Sequence, residues 1–156
     1  MTARRLSLLA SAALIATLAG CGSSTQHTPS LTGLPLVDGA HVVAQSVKCD
    51  PGANAFCGLE VVVAAPGYGT SDRLLRSEHL RLKALGWSGV NADIGGERSF
   101  DSPGHKLRVT YATPQGELQG VDLGYAKRAQ PVQLALSQAM FAHTPAISIL
   151  YEIGAS

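Results

Sequence analysis

Leu59-Glu60-Val61-Val62-Val63-Ala64-Ala65 is a nearly unbroken apolar run that stops at Pro66-Gly67. It has the length of a strand and is rich in β-branched valine, and so continuous a run belongs near the centre of its sheet. Upstream, His41-Val42-Val43-Ala44-Gln45-Ser46-Val47 has the same character and is bounded by Asp38-Gly39. Asp50-Pro51-Gly52-Ala53-Asn54-Ala55-Phe56, between the two, is rich in turn formers, so the chain reverses there and the runs should pair antiparallel.

Downstream, Thr70-Ser71-Asp72 has helix-capping composition and opens a helical segment that runs to about Leu85 and stops at Gly86. On a 100° wheel Leu74, Leu75, Leu82 and Leu85 share one stripe, the face expected on the sheet. Trp87 to Ile94 reads as a weaker strand, and residues 95–104 as a long turn-rich connection. Leu107, Val109 and Tyr111 alternate with Lys106, Arg108 and Thr110, the signature of a strand with one wet face. Thr113-Pro114-Gln115-Gly116 reads as a turn, and Leu118 to Tyr125 fits either a strand or a loop. A second helix starts at Pro131 and runs to about Ala142, with Val132, Leu136, Ala139 and Met140 on one face and Leu134 and Phe141 turned to a second side. Ile147, Ile149, Tyr151 and Ile153 then alternate as a closing strand. The expected fold is α+β, a mostly antiparallel sheet of about five or six strands with two helices packed on one face.

The chain has 156 residues, is 46% hydrophobic and 15% charged, and these values describe one ordinary globular domain and exclude a disordered chain. Without Arg4 and Arg5, which lie in a removable leader, 10 basic face 11 acidic side chains. No basic face marks a nucleic-acid partner, and Lys127-Arg128 reads as a solvated surface pair.

At the amino terminus Arg4-Arg5 precedes an uncharged, mostly apolar run over residues 6–19. At 1.5 Å per residue that run is too short for a bilayer core but matches the apolar core of an export signal. It ends in Leu18-Ala19-Gly20-Cys21, which resembles the lipobox of bacterial lipoproteins: an aliphatic residue, two small residues, then the cysteine to be lipidated. The resemblance covers the leader and the first mature residue only. It implies a diacylglycerol thioether on Cys21, cleavage before it, further acylation with a fatty acid such as palmitate, and a partner that is the membrane itself. Each buried methylene contributes about 0.8 kcal/mol, so two or three acyl chains hold stably where one holds marginally. The expected organisation is a signal peptide over 1–20, the lipidated Cys and a flexible tether over 21–35, and one globular domain over 36–156. The address is the extracytoplasmic face of a cell membrane.

With Cys21 assigned to lipid, Cys49 and Cys57 remain as a pair, and an exported compartment permits a disulfide between them. Their spacing is wider than a redox C-x-x-C, and no second Cys pair or close His pair completes a zinc site, so no metal and no cofactor are expected.

Glu78 interrupts the leucine stripe of the first helix, where a carboxylate must be paired, reach an edge or shift its pKa upward. Pairing with Arg81 at a rim is the plain reading; a catalytic acid in a cleft is the functional one. Gly67-Tyr68-Gly69 lacks the third glycine of a dinucleotide fingerprint, because position 72 is Asp72. Phe56 and Tyr68, aromatics in loops, are the candidate binding residues. With no catalytic constellation legible, the expectation is a lipid-anchored binding or interaction module that recognises an envelope protein or small ligand. The alternatives are a small exported hydrolase using Glu78 and a structural envelope protein.

Overall fold

A computed structural model describes residues 34–49, 57–90, 98–122, 124 and 127–153. Six strands form one sheet: β1 (His41–Cys49), β2 (Cys57–Ala64), β3 (Ser88–Val90), β4 (Arg98–Asp101), β5 (Leu107–Ala112) and β6 (Ala146–Ile153). Their spatial order is β1-β2-β6-β5-β4-β3, and every neighbouring pair is antiparallel. The last strand in sequence is thus inserted at the centre. Three helices connect them: α1 (Ser71–Ala84), α2 (Pro114–Asp122) and α3 (Gln130–Phe141). Among the described residues no helix is long and apolar enough to cross a membrane.

The α+β class, the antiparallel sheet and its strand number are as the sequence predicts. The placement of helices on one face is not. Leu59, Val61 and Val63 of β2 pack with Leu74, Leu75 and Leu82 of α1, while Val62 and Ala64 pack with Val132, Leu136 and Ala139 of α3. Successive strand residues point to opposite faces, so α1 covers one face and α2 with α3 the other. The physical reason lies in β2 itself: valine at both odd and even positions leaves neither face fit for water. Within β6, Ile147, Ile149 and Tyr151 face α1 and Ala146 faces α3, repeating the demand.

Two further elements differ from expectation. Arg98–Asp101 is a strand within the turn-rich connection, held by Asp101, which pairs across strands with Arg108 at 2.8 Å. Residues 114–122 form a helix, not a turn followed by a strand or loop. Thr113 caps it, its Oγ1 accepting from the Gly116 N–H at 3.4 Å, and Pro114 stands at the first helical position. On α1 and α3, Leu74, Leu75, Leu82, Val132, Leu136 and Ala139 are buried as the wheels predict, but Leu85, Leu134, Met140 and Phe141 are exposed.

Cys49, the last residue of β1, and Cys57, the first of β2, are register partners, with sulfurs at bonding distance and Cα atoms 4.1 Å apart. Closing a loop of this size stabilises by about 2.5 kcal/mol in the chain-entropy picture.

Candidate functional site

β2 and β5 run parallel to each other on either side of β6, and both finish where β6 begins: Ala64 pairs with Ala146, and Ala112 with Ser148. From Ala64 the chain turns through Pro66–Tyr68 to α1 on one face; from Ala112 it turns to α2 on the other. Connections that part to opposite faces open a crevice between them, the same divergence that places ligands in open α/β sheets. Here the crevice is a cleft of about 420 Å³ lined by Gly69 to Asp72, Thr113 to Gln115, Ala139, Met140 and His143 to Pro145. That volume lies in the range of small-molecule sites.

Three of the cleft's hydroxyls are already used on one side. Thr70 Oγ1 accepts from the Arg73 N–H at 3.2 Å, Ser71 Oγ from the Ala146 N–H at 3.1 Å, and Thr113 Oγ1 from Gly116. Each is fixed as an acceptor toward the backbone, which leaves its own proton to donate outward. Of the first N–H groups of α1 and α2, those of Arg73 and Gly116 are taken by the caps, while those of Ser71, Asp72 and Gln115 have no intrahelical partner and add donors at the same end. Asp72 contributes an acceptor, and Ala139, Met140 and Pro145 an apolar wall.

His143 stands at an unusual backbone position. α3 ends in a Schellman motif, the Thr144 N–H donating to Ala139 O at 2.9 Å and the His143 N–H to Met140 O at 3.1 Å. The motif puts His143 at φ +51°. α1 ends the same way, but its left-handed residue is Gly86, at φ +81°. A side chain at this position costs about 1 kcal/mol relative to glycine, and backbone strain of this kind concentrates at functional sites. Among the described residues no side-chain hydrogen bond links His143 to Thr70, Ser71 or Asp72, so the cleft holds no preassembled nucleophile and base.

Glu78 lies elsewhere. It is buried on α1 beneath residues 34–40, and its Oε1 accepts from the Val37 N–H at 2.9 Å. Burial pushes its carboxyl up from the usual range to about 7, against smaller opposing effects of the Val37 bond and the Arg81 charge. The expected rim pair with Arg81 is absent: Arg81 faces Asp38 at 3.9 Å instead. Glu78 lines neither of the two cavities described among these residues. Tyr68 is turned inward against the α1-face core, its hydroxyl donating to Asp38 O at 3.4 Å. Phe56 and Cys21 lie outside the described residues. His105 bonds Asp101 at the end of the sheet opposite to His143.

The sequence reading misses a buried polar cluster on the α2–α3 face. Glu117 of α2 accepts from Ser148 Oγ of β6 at 2.6 Å and from Arg128 Nε at 2.6 Å, and Arg128 also lies 3.1 Å from Glu60 of β2. Arg128 is therefore turned inward, contrary to the surface pair expected of Lys127-Arg128. Burial raises the Glu60 pKa; Arg128 opposes the rise, and Glu117 adds to it. The signal available was Glu60 itself, a carboxylate inside the apolar run of a central strand, which must find a cation. The cluster bridges two strands, α2 and the segment before α3, and its polar atoms are engaged with one another, as a structural brace requires.

No protein-family model, no curated protein and no solved structure matches this chain, so its reading rests on the residues themselves.

Proposed function

We propose that this protein is an exported, lipid-anchored binding module of the cell envelope, and that its ligand occupies the cleft between the starts of α1 and α2 and the turn after α3. The observation that carries the reading is the cleft with His143 on its wall, held in a conformation that glycine would adopt at lower cost. The donors of Thr70, Ser71 and Thr113 favour a ligand rich in acceptor oxygens, while the Asp72 carboxylate disfavours a strong anion and accepts from hydroxyl or amide groups. A small neutral molecule bearing hydroxyls or amides, such as a saccharide or short peptide, meets both requirements.

The test is a thermal-shift panel of neutral saccharides and short peptides on the full exported chain, followed by His143→Gly. A binder raises the melting temperature as its concentration passes its Kd. The glycine variant should be more stable than the parent by about 1 kcal/mol yet lose the shift. A panel without any shift, or a glycine variant that binds unchanged, counts against the cleft.

The anchor is tested separately. Mass spectrometry of protein purified from its native membrane should show an amino-terminal Cys21 carrying a diacylglycerol and lacking residues 1–20, and Cys21→Ser should leave the membrane fraction. A bare thiol on an intact leader would overturn the address.

A further inference from the structure

Residues 34–40 precede β1 and belong to no strand, yet they close over the α1 face of the core. Val37 is only 7% exposed and packs among the leucines of α1, with Leu34, Leu36 and Ala40 half-buried beside it. What holds this segment down is sparse. A turn bond runs from the Ala40 N–H to Val37 O at 3.2 Å across Asp38-Gly39, and Gly39 supplies the positive φ, +76°, that the turn needs. The Tyr68 hydroxyl reaches Asp38 O at 3.4 Å, and the exposed Arg81–Asp38 pair at 3.9 Å adds little. Among the described residues, the one short bond from the segment to the body is the Val37 N–H to Glu78 Oε1 at 2.9 Å. Among the described residues, a carboxyl group is thus the seat of the apolar strap that precedes β1.

We infer that residues 34–40 are a proton-dependent latch, closed over Glu78 when its carboxyl is neutral and released when it ionises. A neutral carboxyl accepts the Val37 N–H and tolerates the apolar cover. A carboxylate needs water on its remaining lone pairs, and the least costly way to admit water is to lift the segment that lacks a ladder. Three other groups face this site. Arg81, on the same helix, favours the anion but stands with Asp38 of the segment, which offsets it; Tyr151 of β6 has its own ionisation pushed higher by burial and by Glu78. His79, next to Glu78 in sequence, sets its ring edge-on to Phe100 at 5.0 Å. The carboxyl's raised pKa puts the transition close to neutral pH.

Release frees seven residues, 34–40, and so adds up to about 25 Å of contour between Cys21 and β1. This gain in reach rests on the lipid-anchor reading above; the latch itself does not, and it is tested without it.

The experiment is hydrogen exchange of the full exported chain at pH 5.5 and 8.5, corrected for the intrinsic pH dependence of amide exchange. The amides of Val37 and Ala40 should lose tenfold or more of their protection at the higher pH, and more than those of β2 and β6, which lose only what global stability loses, and Glu78→Gln should hold the segment protected at both. Equal protection of residues 34–40 at the two pH values overturns the latch, as does an equal loss across β2 and β6 or an undiminished loss in the glutamine variant. Should that variant not fold, the comparison of segment with strands in the parent protein decides alone.

Discussion

Arg128→Met should destabilise the protein by about 3–5 kcal/mol at neutral pH, because it leaves two carboxylates facing each other inside the α2–α3 layer with no cation between them. Glu117 is 6% exposed, with one oxygen bonded by Ser148 and the other by Arg128; Glu60, the second carboxylate, also leans on Arg128. Methionine fills much of the volume of the arginine stem, so the loss reports charge rather than a cavity. Part of it should return as pH falls and Glu60, whose pKa burial raises, takes up a proton. Glu117→Gln, which keeps an acceptor for Ser148 and leaves Arg128 with Glu60, should lose only about 1–2 kcal/mol. Urea unfolding of the three proteins at pH 7 measures all of this. A loss below about 1 kcal/mol in Arg128→Met would mean that water reaches the cluster and that it braces nothing.

That cluster shows where the sequence could be read and where it could not. Elements with a clean period were legible: the alternation of Ile147, Ile149 and Tyr151, the leucine stripe of α1, and the paired runs that became β1 and β2. The β2 run also contained the correct layer count, since Val61 and Val63 cannot be buried by a helix that covers Val62 and Ala64. A strand of this kind with both helices on one face would leave either Val62 or the pair Val61 and Val63 facing water. α2 was hidden by chemistry rather than by oversight. Gly116 and Gly120 each cost a helix interior about 1 kcal/mol relative to alanine, and the segment shows little apolar period. Its helix is selected by long-range contacts, Glu117 to Ser148 and Arg128, that no local window contains. The cleft was equally unreadable, because it is made by three turns that are 40 or more residues apart in part and converge only once β6 enters the middle of the sheet. What the sequence did carry was the oddity of His143 just past a helix end, where glycine is the common residue.

The position of the cleft relative to the latch bears on how the module would work. His41, which follows the latch, pairs with Ala64 at the end of the sheet that carries the cleft, and Tyr68, which reaches the latch turn, is followed directly by Gly69 and Thr70 of the cleft wall. The disulfide-linked ends of β1 and β2 and the β4–β5 turn lie at the other end. Residues 34–40 and the cleft therefore share one end of the sheet, with Pro66–Tyr68 between them.

Glu78→Gln should stabilise the protein at pH 8 and leave it nearly unchanged at pH 4.5. Burial raises the folded-state pKa from 4.5 to about 7, so between those values the folded protein holds a proton that the unfolded chain has released. Unfolding free energy then falls as pH rises, by up to about 1.4 kcal/mol per pH unit and about 3 kcal/mol in all, and levels off above neutrality. The sign is opposite to that of Asp101, whose pairing with Arg108 lowers its pKa and makes a contribution lost only in acid. Glutamine keeps the acceptor for the Val37 N–H without an ionisable proton, so the variant lacks this part of the slope. Glu60 and Glu152 are shifted upward as well and tilt both proteins alike, so the difference between parent and variant isolates Glu78. Urea midpoints across pH 4.5 to 8 should therefore diverge with rising pH, the variant ending about 3 kcal/mol above the parent or somewhat less if the segment over Val37 opens to relieve the charge. A variant that is less stable than the parent at pH 8 would show that the ionised carboxylate is welcome where it sits, and the proton would then have no hold on the entry chain.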